Sequence, residues 1–237
     1  MNAFDDLLRL QEHDTRADQL RHRLDTLPER AARDAHLDRV AEHDATTAEV
    51  NARRDELARA QRRLEDEVAS ISAKADEVDT KLYSGSVTSP RELQALQDDL
   101  DSLRRRQRQL EDEVLELMEQ LEPVDRELDT RAAERAELDQ QGATLEAALA
   151  EAEAAIAAEL ATVQAERADI ATAVPAELLD HYEELRRRLQ GIAVARLVGS
   201  QCGGCHLSLS AVELDRIKHE PPDALVHCEE CGRLLVR

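Results

Sequence analysis

The sequence predicts a mainly α-helical protein: a long antiparallel coiled-coil helical hairpin followed by a small C-terminal domain with short β-strands. Three observations support this fold class. The 237 residues include three aromatic side chains and no Trp, while 35% of them are charged. Apolar residues recur at heptad spacing through most of the first 170 residues. All four cysteines and five of the seven glycines lie in the last 47 residues. Such a composition is typical of long helices and disfavours a compact α/β enzyme.

The longest apolar stripe is a heptad seam at residues 93–163. Its steps alternate between three and four residues, as a coiled-coil seam requires. Three polar positions weaken the seam without moving its register. The predicted seam positions are Leu93, Leu96, Leu100, Leu103, Gln107, Leu110, Val114, Leu117, Leu121, Val124, Leu128, Arg131, Arg135, Leu138, Gly142, Leu145, Leu149, Ala152 and Ile156.

Two shorter stripes precede it and are out of step with each other. One comprises Leu57, Gln61, Leu64, Val68, Ile71, Ala75, Val78 and Leu82. The other comprises Leu10, His13, Ala17, Leu20, Leu24, Leu27 and Ala31. The stretch 32–56 between them is therefore expected to be a weaker or locally unwound section. Pro28 and Pro123 are expected to kink their helices, because proline removes a backbone hydrogen bond and clashes with the preceding turn.

The chain divides into three predicted parts. Residues 1–174 form the hairpin, with its turn at about 83–89, where a short Ser- and Gly-containing segment ends in Pro90, a residue suited to the first position of a helix. Helices joined by so few residues run antiparallel; an intermolecular coiled coil is the alternative, and we favour a monomer. Residues 175–191 form a connecting helix that Gly191 ends. Residues 192–237 form the last domain, beginning with a strand at 192–198.

The strongest motif is a pair of C-x2-C sequences, Cys202–Cys205 and Cys228–Cys231, separated by 22 residues. Four thiolates suit the tetrahedral preference of one structural Zn²⁺, so residues 192–237 are predicted to form a C4 zinc ribbon. Iron remains an alternative, and a thioredoxin-like redox pair would need a βαβ context that is missing. His206 and His227 flank the motifs as substitute ligands or surface residues. Gly203, Gly204 and Gly232 are expected to supply left-handed backbone.

The turn and the ribbon together resemble a known family. The turn reads Leu82-Tyr83-x-Gly85-x-Val87-x-x-Pro90-Arg91-Glu92-Leu93-x-x-Leu96, and both C-x2-C pairs are intact. With these motifs the whole chain resembles the bacterial C4-type zinc-ribbon proteins that have an N-terminal coiled-coil hairpin. The resemblance implies an adaptor protein from a family to which nucleic-acid binding is assigned. Some members of that family are tied to transcription factors and messenger RNA in flagellar control. Nothing in this sequence indicates motility.

We consider two functions from the residues. The first is a non-enzymatic scaffold whose protein partners bind the ribbon, the helix faces or the hairpin turn. Tyr83, with Gly85 and Pro90, is the candidate contact at the turn; the alternative is that Tyr83 packs against the end of the hairpin. An enzyme is the weakest reading, since no nucleophile–base arrangement, phosphate loop or open metal position is present.

The second function is RNA or DNA binding through a basic patch beside the ribbon. The net charge is −21, but the last 47 residues carry five Lys and Arg against six Asp and Glu, so this end is nearly neutral. The ribbon has no aromatic residue for base stacking, and the acidic hairpin would repel a polyanion. The candidate cations are Arg186, Arg187, Arg188, Arg196, Arg216, Lys218, Arg233 and Arg237.

The sequence also predicts where the protein works. No stretch approaches the roughly 20 apolar residues that cross a bilayer. The N-terminus lacks a basic region followed by an apolar one, so no secretory signal is expected. We therefore expect a cytoplasmic protein without a membrane partner, in a compartment where thiols stay reduced.

Overall fold

The computed structural model describes residues 3–237, and long helices dominate it. Two of them, joined by a short turn, form a helical hairpin, and three short strands lie near the C-terminus, as predicted. The elements are α1 (Ala3–Asp25), α2 (Pro28–Tyr83), α3 (Pro90–Ala173), α4 (Ala176–Arg188), β1 (Val194–Val198), β2 (Gln201–Cys202), α5 (Ala211–His219) and β3 (Leu234–Val236). Within the described chain, no helix combines the length and the apolar character needed to span a membrane.

The two prolines act differently from each other. Pro28 does not kink a continuous helix, because α1 ends at Asp25 and Pro28 is the first residue of α2. Proline suits that position, where its missing N–H would have no intrahelical acceptor. Pro123 lies inside α3, which runs without interruption from Pro90 to Ala173.

The predicted seam of α3 is confirmed. Each of its nineteen positions is buried or half-buried, including the polar positions Gln107, Arg131 and Arg135. The eight positions predicted from Leu57 to Leu82 on α2 are likewise covered. Cross-helix ion pairs fix the antiparallel direction: Arg54 Nε lies 3.1 Å from Asp125 Oδ1, and Arg104 Nη2 lies 3.0 Å from Asp79 Oδ1.

The stretch 32–56, expected to be weaker or locally unwound, is not unwound. This stretch is helical throughout and continues the α2 seam at alternating steps of four and three residues, with half-buried or buried His36, Val40, His43, Thr47, Val50 and Arg54. Four of these six side chains are polar, so the spacing of apolar residues does not indicate this part of the seam. Two of them have polar or small neighbours on α3: His36 lies against Gly142, and Arg54 pairs with Asp125.

Two contacts show how this polar section is packed. His36 is 5% exposed and lies against Gly142, where an added Cβ would come 3.0 Å from the imidazole Nε2. Arg131 Nη1 donates to Thr46 Oγ1 at 2.9 Å. Two seam positions of α3 that look unfavourable in sequence, Arg131 and Gly142, therefore have specific neighbours on α2.

The turn between α2 and α3 presents Tyr83 to solvent. Its side chain is 76% exposed, so the alternative that it packs against the end of the hairpin is wrong. The turn is ordered without it: Gly85 has a φ of +74°, and Ser84 Oγ donates to the Lys81 carbonyl at 2.9 Å. Pro90 begins α3, as predicted.

The chain divides into two compact units. One contains Ala32–Leu145, which is most of α2 and the first part of α3. The other contains the chain up to Ala31 together with Glu146–Arg237, so that α1, the end of α3, α4 and the ribbon belong to one unit. Its main core includes Leu7, Leu10, Tyr182, Val194 and Leu234. The strands β1 and β3 are therefore packed on α1 and α4.

Candidate metal centre

The C-terminal domain is a three-stranded sheet with the order β2-β1-β3. β1 is antiparallel to β2, with Leu197 opposite Cys202, and parallel to β3, with Val194 opposite Leu234. The predicted strand at 192–198 thus begins two residues later than expected. Helix α5 follows the first cysteine pair, and the side chain of Ser210 caps its N-terminus by accepting from the Glu213 N–H at 3.1 Å.

Each C-x2-C pair forms a knuckle, and the two knuckles have matching hydrogen bonds. In the first, the Cys202 carbonyl accepts from the His206 N–H at 2.8 Å; in the second, the Cys228 carbonyl accepts from the Gly232 N–H at 2.8 Å. The N–H of Cys202 donates to the Leu207 carbonyl at 3.0 Å, and that of Cys228 donates to the Arg233 carbonyl at 2.9 Å. The same local fold therefore occurs twice and turns each pair of sulfurs inward.

The four sulfurs converge on one point. Cys202 Sγ lies 3.9 Å from Cys231 Sγ, Cys205 Sγ lies 3.9 Å from Cys228 Sγ, and all four lie within 4.8 Å of one another. A Zn–S bond of about 2.3 Å in a regular tetrahedron separates the sulfurs by about 3.8 Å. The cluster fits one Zn²⁺ with all four positions filled by thiolate, so the residues form a structural zinc site.

Only one of the three knuckle glycines has the left-handed backbone that was expected of them. Gly232 has a φ of +72°, as predicted, but the equivalent residue of the first knuckle is His206, with a φ of +62°. Gly203 and Gly204 have no positive φ. They are needed for close approach, because an added Cβ at Gly203 would lie 2.8 Å from the Arg196 carbonyl oxygen. At Gly204 it would lie 2.6 Å from Cδ of Arg233.

The thiols of the second knuckle differ in acidity. Burial raises the pKa of Cys228 to about 12. Burial acts in the same direction on Cys231, but hydrogen bonds from Arg233 and the neighbouring thiols outweigh it and lower its pKa to about 7. A bound metal ion would hold all four thiols as thiolates, so these differences in pKa would no longer decide their protonation.

The two histidines beside the knuckles do not join the sulfur cluster. His206 is exposed and serves as the left-handed residue that closes the first knuckle. His227 instead contacts α4, where its Nε2 lies 3.0 Å from Nε2 of His181. Burial, followed by the nearby His181 and Arg188, lowers the pKa of His227.

One residue of α1, Gln11, binds the start of the ribbon, and no pattern in the sequence predicts this contact. Gln11 Oε1 accepts from the N–H groups of Ala193 and Val194, each at 2.7 Å, and its Nε2 donates to the Val194 carbonyl at 2.8 Å. The side chain of Gln11 therefore pairs with the start of β1 as a neighbouring strand would. Arg196 Nη2 adds an ion pair of 2.9 Å to Asp5 of α1.

A buried carboxylate, Asp14, joins α1 to α3 and α4. Tyr182 donates its hydroxyl to Asp14 Oδ2 at 2.7 Å, and Arg167 Nε donates to Oδ1 at 3.1 Å. Burial and the hydrogen bond to Asp14 raise the pKa of Tyr182 well above its ordinary value. Arg186 belongs to the same network and lies 2.5 Å from Asp18 through its Nη2.

The structure places the eight candidate nucleic-acid-binding cations in different environments. Arg186 and Arg196 form the ion pairs above, and Arg216 pairs with Glu220 at 3.6 Å. Arg233 donates from Nε to the Ile192 carbonyl at 3.1 Å, and Arg237 donates from Nη1 to the Ile217 carbonyl at 2.7 Å. The remaining three candidates, Arg187, Arg188 and Lys218, are exposed, and within the described chain none of these three has a carboxylate at ion-pairing distance.

Comparison with known proteins agrees with this architecture. The sequence model of the CT398-like coiled coil hairpin domain matches residues 10–190, and that of the C4-type zinc ribbon domain matches residues 201–235. Uncharacterized protein Rv2229c of Mycobacterium tuberculosis is 32% identical over 239 residues, which cover 98% of this chain and 94% of that protein.

Two solved structures are similar over the whole chain. One from Mycobacterium smegmatis has a TM-score of 0.72 and 28% identity, covering 99% of this chain and 97% of that chain. CT398 from Chlamydia trachomatis has a TM-score of 0.53 and 20% identity, with coverage of 99% and 97%. The second likeness shows the fold alone.

Proposed function

This chain belongs to the family of CT398-like coiled-coil hairpin proteins with a C4-type zinc ribbon, and on this premise we propose that it is a non-enzymatic adaptor for other proteins. The hairpin offers helix faces and the exposed Tyr83 to partners. The ribbon is a rigid head, because zinc closes its knuckles and its strands pack on α1 and α4. Both parts are suited to binding.

The observation that carries this proposal is the closed sulfur cluster. Four cysteines fill the tetrahedron, and two of them, Cys202 and Cys228, are buried. A catalytic zinc keeps one position for water or substrate, whereas a structural zinc does not. The metal of this site is therefore suited to stabilising the head and not to polarising a substrate.

The environment of the cations favours a protein partner over RNA or DNA. Nucleic-acid affinity depends on Lys and Arg side chains that can neutralise phosphates. Five of the eight candidates already bind carboxylates or carbonyls of this chain, which leaves Arg187, Arg188 and Lys218 for a polyanion. The chain as a whole carries a net charge of −21, which opposes such binding.

The experiment is affinity capture from lysate with the full-length protein, with and without nuclease. A ribbon-only fragment is unsuitable, because β1 and β3 share their core with α1 and α4. We expect protein partners that survive nuclease and that decrease when Cys202→Ser and Cys205→Ser disrupt the head, or when Tyr83→Ala alters the turn.

Capture of nucleic acid by this protein would contradict the adaptor function. Recovery of RNA or DNA that is lost at raised salt, and lost when Arg187, Arg188 and Lys218 are changed to Glu, would replace the adaptor by a nucleic-acid-binding function. The matched control changes three equally exposed cations of the hairpin, Arg59, Arg63 and Lys74, to Glu and alters the net charge by the same amount.

A further inference from the structure

An apolar groove runs between α2 and α3 on one side of the hairpin. It has a volume of about 300 Å³ and is lined by Glu65, Val68, Glu111, Val114 and Leu115. Val68 and Val114 belong to the coiled-coil seam, so the floor of the groove is the partly covered edge of that seam. The carboxylate-bearing residues belong to different helices, Glu65 to α2 and Glu111 to α3.

Large aliphatic side chains remain exposed on the α3 side of this groove. Leu115 is 56% exposed, and Met118, one turn later on the same helix face, is 49% exposed. Such outward positions on a solvated coiled coil are normally charged or polar. In the described parts of α2 and α3, the only other exposed aliphatic side chain of this size is Leu37. Adjacent exposed aliphatic residues beside a groove are typical of an interaction site, and methionine adapts to varied partners.

The acidic residues of the groove are not neutralised by the chain itself. Glu65 accepts a hydrogen bond from Gln61 Nε2 at 2.7 Å, and Glu111 accepts one from Gln107 Nε2 at 2.8 Å. Within residues 3–237, neither carboxylate has a cation at ion-pairing distance. Elsewhere on the hairpin, Asp79 and Asp125 each pair with an arginine of the facing helix. The groove therefore combines an apolar surface with two available negative charges.

We propose that this groove binds a basic amphipathic helix of a protein partner. Two aliphatic or aromatic side chains of that helix, spaced three or four residues apart, cover Leu115 and Met118. Lys or Arg side chains beside them pair with Glu65 and Glu111, which is helix-in-groove recognition with complementary charge. This inference rests on the proposed adaptor function and specifies the chemical character of the partner.

The charges favour this occupant over two others. A second copy of this chain, bound about a twofold axis, would bring the same acidic groove against itself and place like charges together. A nucleic acid would meet the repulsion of the same carboxylates. Only a partner with positive charges beside its apolar residues satisfies both features of the groove.

Met118 supplies a direct probe, because the sequence contains two methionines and the other is Met1. The full-length protein is labelled with ¹³C at the methionine methyl groups and titrated with a short amphipathic helical peptide of Leu and Lys. A second peptide has Glu in place of every Lys. We expect the Lys peptide to shift the Met118 methyl resonance and the Glu peptide to leave it unchanged. An unchanged Met118 resonance with both peptides overturns the proposal, as does a shift that depends on self-association of the protein.

Matched variants separate groove binding from general attraction to an acidic protein. Leu115→Ser should weaken the binding of the Lys peptide by about tenfold or more, whereas Leu37→Ser should leave its affinity unchanged. Glu65→Lys with Glu111→Lys should abolish the preference for the Lys peptide. Glu146→Lys with Glu151→Lys makes the same charge change at exposed positions elsewhere and should preserve it. The proposal is contradicted if Leu115→Ser and Leu37→Ser reduce the affinity equally. It is also contradicted if both double charge variants lose the preference for the Lys peptide equally.

The proposed groove binding and the proposed adaptor function can be contradicted independently of each other. If the groove variants fail these tests while the intact chain still retains nuclease-resistant protein partners, the adaptor function stands and its partners bind elsewhere. If the intact chain retains no such protein partner, the proposed function fails whatever the peptide does.

Discussion

Replacing Gly142 by Ala should stabilise the hairpin only when His36 is also removed. Gly142 lies inside α3, where glycine is unfavourable compared with alanine. It also faces His36, and a Cβ at Gly142 would lie 3.0 Å from Nε2 and 3.4 Å from Cδ2 of the imidazole. The ring is only 5% exposed and has little room to move away.

The two effects have comparable magnitudes and opposite signs. The helix propensity of alanine favours the substitution by about 1 kcal/mol. Forcing a methyl group against a packed ring costs about 1–3 kcal/mol. Gly142→Ala alone should therefore be neutral or destabilising by up to about 2 kcal/mol. In the His36→Ala background the ring is absent, and the same change should stabilise by about 1 kcal/mol.

The assay is urea unfolding of the four proteins of this double-mutant cycle, followed by far-UV circular dichroism. Ala143→Gly, at the exposed neighbouring position, measures the intrinsic alanine–glycine difference in this part of α3. We expect a coupling free energy of about 1 kcal/mol or more between His36 and Gly142. If Gly142→Ala stabilises by about 1 kcal/mol in both backgrounds, the two residues do not touch, and the packing described for the polar section is incorrect.

Two further substitutions test the other unit. The Gly203→Ala variant should release zinc to a chelator more readily than the wild type, because the added Cβ would lie 2.8 Å from the Arg196 carbonyl oxygen. Glu229→Ala changes the matching position of the second knuckle and should release zinc as the wild type does. Equal release from the two variants would show that Gly203 is not needed for the close approach of the backbone. Tyr182→Phe should lower the free energy of unfolding by about 1.5–3 kcal/mol, since buried Asp14 loses a donor. Because the pKa of Tyr182 is raised above 10, wild-type stability should hold below pH 10 and fall above it; chemical denaturation across this range should show no such fall in the variant.

The sequence predicted those parts of the fold that depend on repetition or on a covalent motif. The α3 seam is recognisable because leucine and valine recur at steps of three and four. The same spacing on α2 between His36 and Arg54 was missed because polar side chains occupy four of its six positions. Their partners, such as Gly142 and Arg131, are distant in sequence, and only the paired helices show that each polar residue has a neighbour.

The candidate site likewise has features that the sequence predicts and features that it does not. The spacing of the four cysteines predicted the zinc ligands, because two residues between cysteines suit a knuckle. The docking of the ribbon by Gln11 could not be predicted, since one glutamine in an α-helix has no pattern that relates it to a strand 183 residues away. The cations looked alike in sequence, but Arg237 donates to a carbonyl at the end of α5, while Arg187 has no carboxylate of the described chain at ion-pairing distance.

The closed zinc site is the feature on which the proposed non-enzymatic function depends most, because four thiolates leave no open position for water or substrate. The direct measurement is the zinc content of the purified protein, combined with X-ray absorption at the zinc edge. We predict one zinc per chain with four sulfur neighbours at about 2.3 Å. A nitrogen or oxygen neighbour in place of one sulfur, or iron in place of zinc, would contradict the account.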